Sequence, residues 1–177
     1  MVIQNGKIFR ENGKFETIDL FVEDGIIVDK TKQNEVIDAS GLYVIPGLID
    51  IHFHGCMGYD FCDGTEEAFD AITKYQAENG VTTISPATMT LSRQELASIF
   101  SAVGKYKNEN GSTIRGITME GPFVSLAKKG AQNGDFIHKP DVEFYREMQN
   151  LCGNLIKQVA VAPEEDDDFA FIKEVSA

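Results

Sequence analysis

No stretch of this 177-residue chain approaches the ~20 consecutive apolar residues that a membrane-spanning helix requires. The N-terminal MVIQNGKIFR lacks the basic-then-apolar layout of a secretory signal, so a cytosolic protein is expected. Basic charge is scarce as well. Sixteen Lys and Arg against 28 Asp and Glu leave a formal charge of −12, without the basic footprint that holds nucleic acid or an anionic membrane surface. A small-molecule partner is left. Cysteine is limited to Cys56, Cys62 and Cys152, an odd number with no framework spacing, which fits a reducing compartment better than a disulfide-stapled fold. No Gly-rich phosphate loop follows a strand, and no Ser-His-Asp arrangement is visible. Histidine occurs three times, and two of the three stand two residues apart.

Those two close the stretch around which the chain is organised, Tyr43–Gly58, YVIPGLIDIHFHGCMG. An apolar run (Val44, Ile45, Leu48, Ile49, Ile51) is broken by Pro46-Gly47 and ends in His52-Phe53-His54-Gly55. On a strand, residues two apart face the same side, so His52 and His54 are expected to leave one face together and offer two ligands to one metal site. A pair of hydrogen-bonded core histidines is the alternative. Gly55 is expected to give a flexible exit where the backbone turns beside whatever the rings bind. Cys56 and Cys62 lie near enough to be further ligands, although small buried hydrophobes is the commoner role of free cysteines; a role for Cys56 stays open.

From Met1 to about Ala39 the chain reads as short strands with tight turns. Ile18–Val22, Asp24-Gly25 and Ile26–Val28 make a hairpin signature. Residues 1–42 are therefore expected to form a small β-structure. After the His run, helices and strands alternate. Thr65 caps a helix carrying Phe69, Ile72, Thr73 and Gln76 that stops at Asn79-Gly80. Val81–Ala87 is a strand, and Ser92-Arg93-Gln94-Glu95 is a capping box for a helix with Leu96, Ile99, Phe100 and Val103 inside. Ile114–Glu120 is the next strand, broken at Gly121-Pro122 and followed by a long polar loop. Asp141 caps a helix with Val142, Tyr145, Met148 and Leu151 inward; Leu155–Val161 is a fourth strand, and a fourth helix starts in Asp166–Ala177. The acidic run Glu164–Asp168 reads as the solvated N-terminus of that helix.

Four strand–helix units in succession imply parallel pairing through crossovers, as an open doubly wound sheet or as the first half of a (β/α)8 barrel over residues 43–177. The half barrel is favoured, because the chemically loaded residues fall at the C-terminal ends of strands one and three, where barrel enzymes carry their sites. The last apolar helical start runs to Ala177 without a Gly, Asn or Pro stop, so the chain also reads as cut.

The second loaded segment is Gly116-Ile117-Thr118-Met119-Glu120-Gly121-Pro122-Phe123. A carboxylate at the end of an apolar strand is costly to bury unpaired, so Glu120 wants a cation: a metal, or a salt bridge to Arg115 or Lys128. With His52 and His54 the metal reading gains. Two imidazoles and a carboxylate suit Zn²⁺, Fe²⁺ or Mn²⁺, and such an ion lowers the pKa of bound water to about 7 and polarises a carbonyl.

Pro46–Gly55 resembles the PGxIDxHxHG signature of the amidohydrolase superfamily. Gly80-Val81-Thr82-Thr83, Thr118–Phe123, Lys128-Lys129-Gly130-Ala131-Gln132-Asn133 and Val161-Ala162-Pro163-Glu164 are together similar to the N-acetylglucosamine-6-phosphate deacetylases within it. The resemblance implies a small β-sandwich flanking a (β/α)8 barrel, one or two divalent ions, an amino-sugar phosphate substrate and a homodimer. By position it makes Glu120 the ligand of the principal metal and His52 and His54 the holders of a second, and it places Gly130, Ala131, Gln132 and Asn133 along the sugar site. Many relatives have His where this chain has Gln132, which can hydrogen-bond a sugar but cannot carry a proton. His138 reads as a surface residue. Two further metal-binding histidines, a proton-moving aspartate and most phosphate contacts come from later segments of such proteins, so no catalytic general base is expected in these 177 residues, and the chain alone is expected to be inactive. Two rivals remain: another amidohydrolase, dihydroorotase-like or deaminase-like, and a non-catalytic half-barrel that binds metal or self-associates.

Overall fold

A computed structural model describes residues 1–176 and divides the chain into two compact units, Met1–Gly47 and Leu48–Ala177. In the first unit seven short strands form two sheets: β1 (Val2–Gln4), β2 (Lys7–Phe9), β3 (Phe15–Thr17), β4 (Leu20–Glu23), β5 (Ile26–Val28), β6 (Val36–Asp38) and β7 (Tyr43–Val44). One sheet runs β5-β4-β1-β6, the other β3-β2-β7. The β4–β5 hairpin turns on Asp24 and Gly25, both at positive φ, as a two-residue loop matched to strand twist requires. Val2, Ile8 and Ala39 are the buried apolar residues of the first unit. Tyr43-Val44 pairs with β2, so the apolar run read as one stretch from the sequence is divided at Pro46-Gly47.

The second unit is built on parallel strands taken in chain order. Strand β8 (Leu48–Asp50) is followed by a small hairpin, β9 (Gly55–Cys56) and β10 (Tyr59–Asp60), and by helix α1 (Glu66–Glu78). Then come β11 (Val81–Ile84), α2 (Arg93–Lys105), β12 (Thr113–Ile114), β13 (Ile117–Glu120), α3 (Val142–Leu151), β14 (Ile156–Ala160) and α4 (Ala170–Val175). β8 pairs with β11, β11 with β12 and β13 with β14, all in parallel. A parallel bridge from Ala87 to Thr118 carries the pairing from the β11 side to β13. The unit is mixed α/β, with one helix after each step of the parallel pairing.

Local chemistry explains the helices. The Thr65 hydroxyl accepts from Ala68 N at 3.2 Å, and the Ser92–Glu95 capping box is closed in both directions, satisfying backbone donors that a helix start leaves orphaned. α1 buries Ala68, Phe69, Ile72, Thr73 and Gln76; α2 buries Leu96, Ile99, Phe100 and Val103. Phe69 of α1 and the four α2 residues form one cluster with Phe61, Ile117, Met119, Phe123, Phe144 and Phe171, in which each fully buried apolar side chain contributes about 1.5–3 kcal/mol relative to exposure.

Four sequence expectations change. The strand read as Ile114–Glu120 is two, because the chain changes partner: Arg115 N donates to Ile84 O, whereas Ile117 N donates to Leu155 O. On α3 the deeply buried residues are Phe144 and Met148, while Leu151 lies at the surface. Asp166 is not a solvated acid: it is buried, and its carboxylate accepts from Phe171 N and Ile172 N, both at 3.0 Å. Gly55 serves close approach rather than flexibility, since a Cβ there would collide with the Tyr59 carbonyl across the hairpin.

Candidate metal centre

His52 and His54 lie just past the end of β8, not on it. The segment that carries them is nevertheless fixed at its carbonyls. Ile51 O accepts from the Thr118 hydroxyl at 2.8 Å, Phe53 O from Ala87 N at 2.7 Å, and His54 O from Phe61 N at 2.7 Å. The Asp50 carboxylate accepts from His52 N at 3.1 Å. These anchors bring the rings together without strand alternation, nearly perpendicular at 89° with centroids 5.4 Å apart.

Glu120 closes β13, its amide donating to the Thr88 hydroxyl at 3.2 Å. Its two carboxylate oxygens have different surroundings. Oε1 accepts from Gln132 Nε2 at 2.6 Å. Oε2 lies 2.9 Å from His52 Nε2 and 3.3 Å from His54 Nε2, yet neither approach has hydrogen-bond geometry, and Oε2 is buried without a hydrogen-bond partner. The distances alone would describe an ion pair; the angles decide against a hydrogen-bonded one. One ligand atom from each of the three residues falls within 4.8 Å of the others. Converging nitrogens around an unpartnered, buried carboxylate oxygen suit a divalent cation, so the residues fit the ion that the donor set implies. Among the described residues Glu120 has no ion pair with Arg115 or Lys128, the two cations considered from the sequence.

The loop after β13 behaves less uniformly than its motif suggests. Gly130 and Ala131 are exposed, and Asn133 Oδ1 accepts from Asp135 N at 3.0 Å, capping a single 3-10 turn. Gln132 alone turns inward: it is 5% exposed, and its Oε1 accepts from Thr90 N at 2.6 Å while its Nε2 reaches Glu120. A cavity of about 370 Å³ opens beside these groups, lined in part by His52, Glu120, Gln132, Lys128 and Lys129. His138 packs edge-on against Phe123 and Phe144, apart from the cluster. Cys56 and Cys62 are not in the cluster either. Burial raises the Cys56 thiol and pushes Cys62 up to about 12, and Cys62 Sγ accepts from Met89 N at 3.3 Å. Both fit packing rather than ligation. The threonines at 88 and 90, and the hydrogen bonds that Thr118 and Gln132 make, escaped the sequence reading, because neither spacing nor composition marks a partner brought in from a distant part of the chain.

The sequence profile of the amidohydrolase family matches residues 43–175, which include all three cluster residues. The chain belongs to the amidohydrolase family. It is 29% identical over 99% of its length to an N-acetylglucosamine-6-phosphate deacetylase of Lysinibacillus sphaericus, covering 47% of that protein. It is 31% identical over 97% of its length to one of Bacillus subtilis, covering 43% of it. A crystal structure of N-acetylglucosamine-6-phosphate deacetylase from Thermotoga maritima superposes with a TM-score of 0.80 at 26% identity, over 99% of this chain and 46% of that one. The chain thus spans about half the length of the curated relatives it matches. Among the described residues no helix of this amidohydrolase chain is long and apolar enough to cross a membrane.

Proposed function

We propose that this chain is the N-terminal, metal-binding part of a hydrolase that removes the acetyl group of N-acetylglucosamine 6-phosphate to give glucosamine 6-phosphate and acetate. The observation that carries the reading is the buried Glu120 Oε2, unpartnered and approached by both His52 and His54 in an amidohydrolase-family chain. The names of the relatives supply the substrate. In the proposed architecture the barrel expected over residues 43–177 begins at Leu48, because Tyr43-Val44 pairs with β2. The second unit is then the first four strand–helix units of a (β/α)8 barrel and the first unit, expected as residues 1–42, is part of a small β-sandwich, with the site at the strand C-terminal ends as barrel enzymes have it.

Glu120 through Oε2 and the two imidazoles through Nε2 would hold one or two divalent ions, Zn²⁺ or Fe²⁺ with Mn²⁺ as the alternative. When bound, such an ion polarises an amide carbonyl and supplies a water with a pKa near about 7. The chain's own residues orient and enclose. The anchored carbonyls of Ile51, Phe53 and His54 fix the imidazoles, and the adjoining cavity admits the acetamido end of the sugar. Lys128 and Lys129 on the cavity wall offer positive charge to a phosphate-bearing substrate. Among the described lining residues no carboxylate or imidazole stands beside the metal set to carry a proton to the leaving amine. The 177 residues alone are therefore proposed to be inactive. A homodimer and a cytoplasmic location belong to the same proposal.

The test is acetate release from N-acetylglucosamine 6-phosphate by the protein made from its full gene, with the 177-residue chain alongside. The full product releases acetate, and Glu120→Gln lowers kcat/KM by more than about 100-fold, beyond the cost of losing an outer-shell partner alone. A full product that leaves this substrate intact, or one indifferent to Glu120→Gln, overturns the reading. Acetate release by the 177 residues overturns the proposed inactivity.

A further inference from the structure

The amide of Gln132 bridges two groups inside the protein. Its oxygen accepts from Thr90 N at 2.6 Å and its nitrogen donates to Glu120 Oε1 at 2.6 Å, with Met89 Sδ a weaker second acceptor at 3.7 Å. With its acceptor taken by a buried backbone donor, the amide cannot flip without setting its NH₂ against the Thr90 N–H. The direction of the bridge, donor toward Glu120, is therefore fixed by the backbone. That bond occupies Oε1 and turns Oε2, the oxygen without a hydrogen-bond partner, toward His52 and His54. The Thr88 hydroxyl holds the Glu120 backbone amide, so the carboxylate is restrained at both ends.

We propose that Gln132 is a positioning residue for the metal centre: it selects which oxygen of Glu120 faces the ion and so sets the affinity of the site. This rests on the metal reading of His52, His54 and Glu120 given above. A carboxylate with no outer-shell partner rotates about its terminal torsion, and the ion must then offset the cost of ordering it. Gln132 is 5% exposed, and its two short hydrogen bonds go to Glu120 and Thr90.

The experiment measures Zn²⁺ affinity by competition with a chromophoric chelator, using the protein made from its full gene, its Gln132→Met and Gln132→Asn variants, and Glu120→Gln to identify the site. Thermal midpoints of the metal-free proteins are recorded in parallel. Met keeps the volume without the donor. Asn keeps the amide but, one methylene short, cannot span Thr90 and Glu120, and it serves if the Met variant does not fold. Zn²⁺ affinity at the Glu120-dependent site falls about 10–100-fold in a folded variant, while KM for N-acetylglucosamine 6-phosphate measured at saturating Zn²⁺ stays near wild type. Unchanged Zn²⁺ affinity in a folded variant overturns the positioning role, as does a loss confined to KM, which would make Gln132 a sugar ligand. Absence of Glu120-dependent Zn²⁺ binding in the unsubstituted protein overturns instead the metal reading beneath it.

Discussion

Gly121 follows Glu120 directly and sits at a φ of +85°. A Cβ built there overlaps the Thr90 hydroxyl and lies 2.9 Å from Thr90 Cβ and 3.2 Å from Thr90 Cα, so the obstruction includes backbone and cannot be relieved by a rotamer change. Gly121→Ala therefore carries two costs. Left-handed backbone at an L-residue costs about 1–2 kcal/mol, and pushing Thr90 aside in a packed interior costs about 1–3 kcal/mol more. The sum is about 2–5 kcal/mol. Gly153 separates the two, because it has φ +65° with nothing within 4 Å of an added Cβ; Gly153→Ala carries the conformational cost alone. Urea unfolding of both variants in the metal-free protein, with free energies extrapolated linearly, is expected to show Gly121→Ala less stable than Gly153→Ala by about 1–3 kcal/mol. Because Thr90 N is the donor that holds Gln132, Gly121→Ala also weakens Zn²⁺ binding, whereas Gly153→Ala leaves it unchanged. If Gly121→Ala is no more destabilising than Gly153→Ala, contact with Thr90 is not what demands glycine, and the coupling argued from it fails.

Three further outcomes follow from individual groups. Asp166→Ala removes the acceptor of two backbone N–H groups at the start of α4 and is expected to cost about 1–2 kcal/mol in urea unfolding, against near zero for its exposed neighbour Asp167→Ala; equal costs would refute the capping role. Burial holds the Cys62 thiol at about 12 against an ordinary 9.0, and burial likewise leads the causes that hold Tyr106 at about 12 against 10.0. Both groups keep their protons in the folded state after the unfolded chain has lost them, so their contribution to stability is intact below about pH 9 and declines as pH rises toward 12. Cys62→Ala should flatten that alkaline decline, and an unaltered pH profile would remove Cys62 from its cause. Saturating Zn²⁺ at about 100 times its Kd should stabilise the protein by about 2.7 kcal/mol, reversibly with chelator and not in Glu120→Gln; equal stabilisation of that variant would place the ion elsewhere.

The sequence by itself determined the elements whose causes are local. The caps at Thr65, Ser92 and Asp141, the Asp24-Gly25 turn and the buried stripes of α1 and α2 are all written within a few residues of where they act, and the structure has each of them. It also singled out His52, His54 and Glu120, because two imidazoles and a carboxylate at the ends of apolar runs are conspicuous against a chain with three histidines. Only the tertiary structure decided how those side chains meet. The histidines were expected on a strand and lie beyond it, oriented by Thr118, Ala87 and Phe61 rather than by strand alternation. Asp166 lay in an acidic run that looked solvated and is a buried cap. Gln132 was marked only as a member of its loop, and its bridge between Thr90 and Glu120 came from the tertiary structure. The division has one physical reason: propensity, capping and turn geometry act between near neighbours and leave a local record, while the partner of a buried polar group is set by which distant backbone the fold brings alongside it.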